Sequence, residues 1–150
     1  MRLPRRRSLC RHDGPENLSD LPKCPTDGSG GKLRAVSAAA DVPAVDPVEA
    51  CRRLEAGGML LDVRETDEWD TGHAPEATWI PMGDLAARQD ELAGDRPIVV
   101  VCRSGGRSAR VTSALLQAGY DATNLAGGMK AWAAAGFRVV TDGDTPGTVA

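Results

Sequence analysis

Ile98-Val99-Val100-Val101-Cys102-Arg103-Ser104-Gly105-Gly106-Arg107-Ser108 is the stretch on which the reading of the fold turns. The aliphatic run Ile98 to Val101 leaves no polar face, so the strand it forms is buried on both sides, as in a parallel sheet covered by helices. A cysteine ends that strand, and a glycine-rich turn leads out of it. Val111, Leu115 and Leu116 then recur at helical spacing over 108–118, and Gly119 closes the helix with these residues facing inward.

Working outward, Asp46-Pro47-Val48-Glu49 is a helix start, with Asp as N-cap, Pro in the first turn and Glu three residues after the cap. Val48, Cys51 and Leu54 form its apolar stripe, and Gly57-Gly58 ends it. Met59 to Val63 reads as a buried strand, Arg64 to Pro75 as a charged, turn-rich connection, and Ala77 to Ile80 as a short strand stopped by Pro81. Asp84 to Leu92 fits an amphipathic helix closed by Gly94. A strand over 122–125, a helix over 129–135 and a last strand over 137–140 complete the pattern. Alternating strands and helices predict an α/β domain over 41–141, its mostly parallel central sheet flanked by helices on both faces.

Residues 1–40 are rich in Pro, Gly, Ser and Arg, and read as a disordered basic extension; residues 142–150 read as a C-terminal tail. The formal net charge of −3 hides an asymmetry, because eight Lys or Arg face four Asp or Glu in 1–40, against ten and seventeen in 41–150. An acidic domain argues against nucleic acid as a partner. No apolar run approaches the roughly 18 residues of a membrane span, and no hydrophobic stretch follows the basic Arg5-Arg6-Arg7. A cytoplasmic protein with reduced cysteines is therefore expected, with no membrane partner. The four cysteines, Cys10, Cys24, Cys51 and Cys102, contain no CxxC pair and suggest no disulfide framework. Cys10, His12 and Cys24 lack a fourth ligand for a metal site, and no metal or cofactor is expected.

Cys102 reads in two ways. It is either a small buried hydrophobe at a strand end or a reactive thiol. The second reading has a physical basis. Ligands of open α/β sheets bind beyond the carboxyl ends of the strands. The turn through Gly105 and Gly106 can aim several backbone N–H groups at one point, and the following helix adds its positive end. A hundredfold gain in thiolate needs about 2.7 kcal/mol of stabilisation, which several N–H donors with Arg103 and Arg107 can supply.

The loop Cys102-Arg103-Ser104-Gly105-Gly106-Arg107, followed by Ser108-Ala109-Arg110, resembles the active-site loop of the rhodanese family. Three more segments fall in the family's order: Leu60-Leu61-Asp62-Val63-Arg64-Glu65, then Gly72-His73-Ala74-Pro75-Glu76-Ala77 with Ile80-Pro81, then Asn124-Leu125-Ala126-Gly127-Gly128-Met129 with Trp132. The resemblance covers about 42–140 and implies a rhodanese-like three-layer domain. It further implies a sulfurtransferase in which the Cys102 thiolate takes sulfane sulfur from a donor such as thiosulfate, carries it as a persulfide, and passes it to a thiol or protein acceptor. Arg103, Ser104, Gly105, Gly106 and Arg107 would hold the small anionic donor, and Arg64 would line the pocket. Asp62 and His73 read as structural, and Trp69, Trp79 and Trp132 as packing residues. Ala74, Glu76 and Trp79 depart from the family pattern at the turn and the pocket rim.

Three other functions compete. A cysteine phosphatase or arsenate reductase of similar fold uses a Cys-x5-Arg loop, whereas here the arginine is five positions after Cys102 and Val101, not His, precedes it. A regulatory or sulfur-delivery module would bind one protein partner. A redox role would have Cys10 or Cys24 resolve an oxidised Cys102.

Overall fold

The computed structural model describes residues 42–92 and 94–150. The basic extension, with Cys10, His12 and Cys24, lies outside them. Five strands form one sheet: β1 (Ala44–Val45), β2 (Met59–Asp62), β3 (Thr78–Trp79), β4 (Ile98–Val101) and β5 (Ala122–Leu125). Their order is β1-β5-β4-β2-β3, and every pairing is parallel. Four α-helices accompany them: α1 (Pro47–Glu55), α2 (Thr66–Thr71), α3 (Gly106–Gln117) and α4 (Gly128–Ala134).

The aliphatic run of β4 is explained by its central place. Successive side chains of a strand point to opposite faces. Val99 and Val101 enter a core with Leu54, Leu125, Met129 and Trp132, while Ile98, Val100 and Cys102 enter the opposite core with Leu61, Val111 and Leu115. Helices α1 and α4 cover the first face and α3 the second, so the sheet is the middle of three layers, as expected. Each aliphatic side chain that β4 buries contributes about 1.5–3 kcal/mol.

Local signals place the helices. The Asp46 carboxylate accepts the Glu49 backbone N–H at 2.8 Å, which caps α1 as the sequence predicts. Its buried face is Ala50, Cys51 and Leu54, whereas Val48 is 48% exposed and drops off the predicted stripe. On α3, Val111 and Leu115 point inward, but Leu116 is 39% exposed, one position too far round the helix.

Other expectations are corrected. The 84–92 segment is not an α-helix. A 3-10 turn, Met82–Asp84, leads into it and a second, Gln89–Glu91, lies near its end, because only Leu85 and Leu92 supply apolar anchors. The connection read as turns contains α2, whose first turn is closed by the Glu65 N–H donating to the Glu68 carboxylate at 3.2 Å. Residues 137–140 form no strand; Val140 makes isolated bridges with His73 and Pro146. Segment 142–150, expected as a tail, folds back instead. Gly147 N–H donates to Val139 O, Thr148 N–H donates to Thr71 O, and Val149 packs on the α1/α4 core. Cys51 is 3% exposed and packs in the core beneath α1, as its place on the apolar stripe predicts; Cys102 is a buried free cysteine.

Among the described residues no helix is long and apolar enough to cross a membrane, and no group of three or more His, Cys, Asp or Glu could hold a metal ion.

Candidate active site

Cys102 follows the last residue of β4, and α3 starts at Gly106, so four residues make the reversal from strand to helix. Gly105 has φ +101, which a side chain rarely tolerates, and a Cβ there would stand 3.3 Å from the Gly127 amide nitrogen. Gly106 needs no such freedom, against the expectation that both glycines serve it: its φ is ordinary and the space around it is open.

The loop is aimed from behind by α4. Met129 N–H donates to Cys102 O at 2.8 Å, and Lys130 N–H donates to Arg103 O at 3.1 Å. Amides at a helix start have no partner within their own helix. Here they draw the loop carbonyls toward α4, which leaves the loop N–H groups to face the sulfur. Gly128, with φ +60, makes the approach possible, since a Cβ there would overlap the Cys102 carbonyl.

Gly105 N–H donates to Cys102 Sγ at 3.1 Å, and the Ser108 hydroxyl lies 3.2 Å from the same atom. The residue is 1% exposed. Burial pushes the thiol up, but the Ser108 hydroxyl and the amides of Ser108, Gly105 and Ser104 pull it down further, so it sits below an ordinary cysteine. The cradle can therefore hold a thiolate out of water. Behind Ser108 stands Asn124 of β5, whose Oδ1 lies 2.6 Å from the hydroxyl while its Nδ2 donates to Gly105 O at 3.3 Å.

The arginines divide. Arg103 and Ser104 are exposed at the rim, and Arg103 has no side-chain partner among the described residues. Arg107 is clamped: its two terminal nitrogens donate to the Glu68 carboxylate at 2.7 and 2.5 Å. This bidentate hydrogen bond pulls the Glu68 carboxyl below the usual carboxylate range, over the opposing cost of burial. It also raises Arg107, which the charge of Cys102 raises further. Arg64 does not join the loop. It is fully buried, pairs with Asp62 at 2.8 Å, and donates to Glu68 O and Gly72 O, so it ties β2 to α2.

His73 Nδ1 lies 3.1 Å from Trp69 O, and its ring stacks on Trp69, which stacks in turn on Trp79. These rings brace the turn before β3. In that turn Ala77 N–H donates to Ala74 O, and Glu76 has φ +65. Proline second and a positive φ third is the demand of a type II turn, which favours glycine at the place where Glu76 stands.

The sequence reading named Cys102 and its loop. It did not name Glu68, Ser108 or Asn124 as working residues. Ser108 and Asn124 were visible only as members of motifs, and Glu68 carried the signal of a capping box, Glu65-x-x-Glu68, ahead of α2.

A family model described as rhodanese-like domain matches residues 46–135. A protein of Allochromatium vinosum named sulfurtransferase is 40% identical over 83 residues, 55% of this chain and 78% of that protein. A Mycobacterium tuberculosis protein named HTH-type transcriptional regulator is 41% identical over 128 residues, 83% of this chain and 52% of that protein. The crystal structure of a rhodanese-related protein from Thermoplasma volcanium superposes with TM-score 0.63 at 28% identity, covering 67% of this chain and 99% of that one. With its three-layer fold and strand-end cysteine loop, the chain belongs to the rhodanese-like domain family.

Proposed function

We propose that this protein is a sulfurtransferase that moves sulfane sulfur from a small anionic donor such as thiosulfate to a thiol or protein acceptor through a persulfide on Cys102. The observation that carries the reading is the buried Cys102 sulfur, held at hydrogen-bond distance by Gly105 N–H and the Ser108 hydroxyl and thereby favoured as a thiolate. A soft thiolate attacks soft sulfur, and a thiolate stabilised in this way also leaves well in the second step. No separate base is required. The exposed Arg103 is the cation free to meet the donor, whereas Arg107 is spent on Glu68. The relative named sulfurtransferase supports the same chemistry.

The test is thiocyanate formation from thiosulfate and cyanide, in the wild type and in Cys102→Ser. Activity that disappears in the variant is the expected result. Equal rates in the two proteins would remove Cys102 as the nucleophile. A second reading, a regulatory or sulfur-delivery module that works on a protein partner, is favoured by the likeness to the relative named a transcriptional regulator, of which the chain spans about half.

A further inference from the structure

The Ser108 hydroxyl stands between two acceptors, Cys102 Sγ at 3.2 Å and Asn124 Oδ1 at 2.6 Å. A hydroxyl has one hydrogen and can serve only one of them at a time. Ser108 is 0% and Asn124 8% exposed, so both sit out of bulk solvent. The Asn124 amide is fixed with its oxygen toward Ser108, because its nitrogen donates to Gly105 O at 3.3 Å.

We propose that Ser108 and Asn124 form a hydroxyl rotor behind Cys102, in which the Ser108 proton moves from the Asn124 side-chain oxygen to Cys102 Sγ whenever that sulfur carries the negative charge. A neutral thiol is a weak acceptor, so the proton then stays on Asn124. A thiolate accepts a charge-assisted bond about twice as strong as a neutral one, and takes the proton. Ser108 touches the reacting sulfur; Asn124 acts through Ser108 and is a positioning residue.

For turnover the rotor rests on the sulfur-transfer reading. In the first step the thiolate attacks the outer sulfur of thiosulfate, the S–S bond of the donor breaks, and sulfite leaves with its electron pair. Cys102 becomes a persulfide whose charge sits on the outer sulfur. Sγ is then neutral, and the Ser108 proton returns to Asn124. In the second step cyanide takes the outer sulfur as thiocyanate, and the electron pair of the S–S bond returns to Sγ. The hydroxyl swings back to the thiolate as it forms. Ser108 therefore stabilises the free thiolate over the persulfide and favours discharge over loading.

The experiment titrates the thiolate ultraviolet absorbance of Cys102 against pH, with Cys102→Ser as blank. Ser108→Ala should cut the thiolate-to-thiol ratio at fixed pH about tenfold, and Ser108→Thr, which keeps the hydroxyl, should restore it. Asn124→Leu should raise the ratio several-fold while Ser108 is present, because the competing acceptor is gone; in the S108A background it should not raise it. Asn124→Ala is read in the same way where the leucine variant does not fold. An unchanged titration in Ser108→Ala overturns the proposal. So does an Asn124 substitution that lowers the ratio equally with and without Ser108, since that marks a mere loop support. The titration uses no sulfur donor, so the rotor and the sulfur-transfer reading can fail separately. If thiocyanate forms, Ser108→Ala should slow the discharge of a preformed persulfide by cyanide more than its loading by thiosulfate.

Discussion

Replacing Gly128 by alanine tests the claim that α4 aims the Cys102 loop. Two costs follow from the geometry. First, φ +60 lies in the left-handed region, where an L side chain costs about 1–2 kcal/mol. Second, the new Cβ would overlap the Cys102 carbonyl and come within 2.6 Å of the Arg103 carbonyl carbon, so α4 and the loop must part. Parting stretches Met129 N–H to Cys102 O, now 2.8 Å, and Lys130 N–H to Arg103 O, now 3.1 Å. Each is worth about 1 kcal/mol net. Together the loss is about 3–4 kcal/mol, a large share of the 5–15 kcal/mol typical of a domain. Urea unfolding measures it, with Gly83→Ala as control, since a Cβ there meets nothing within 4 Å. The loop N–H groups should also lose their aim, so the Cys102 thiol should titrate closer to an ordinary cysteine. A Gly128→Ala protein within about 0.5 kcal/mol of wild type, its thiol unchanged, would refute the idea that this close approach holds the cradle.

Two more outcomes follow from the turn before β3 and the clamp on the loop. Glu76→Gly should stabilise the fold by about 1 kcal/mol, as relief of the positive φ outweighs the added freedom of the unfolded chain, and thermal unfolding should show a rise of several degrees. The Glu68 carboxyl is depressed in the folded protein, chiefly by Arg107, so the clamp should contribute fully above the ordinary glutamate range and be lost as pH falls through the lowered folded value. Urea unfolding of Glu68→Gln across that window should lack this component, and at neutral pH should show a loss of about 1–2 kcal/mol; an identical pH slope in the two proteins would refute it.

The strand-end cysteine, the parallel sheet and the family were legible in the chain because they rest on local signals. The unbroken apolar run of β4 can only be buried on both faces, and Asp46-Pro47 with Glu49 spells a helix start wherever it stands. Where local signals were short or shared, the reading failed. Leu85 and Leu92 matched a helical period by themselves, yet had too few partners to hold one. Val48 and Leu116 matched it too, and ended outside.

What remained belonged to the tertiary structure, since it depends on where distant segments meet. Arg64 and Arg107 look alike as cations near a site, but one is buried against Asp62 and the other is clamped by Glu68, thirty-nine positions away. Arg103 alone of the three is left facing solvent without a partner among the described residues. Asn124 lies sixteen positions from Ser108, and only the pairing of β5 beside β4 brings its amide behind the Cys102 sulfur. The candidate nucleophile was written in the sequence; which groups surround its sulfur was decided by packing, because a hydrogen bond or ion pair exists only where the fold closes the distance.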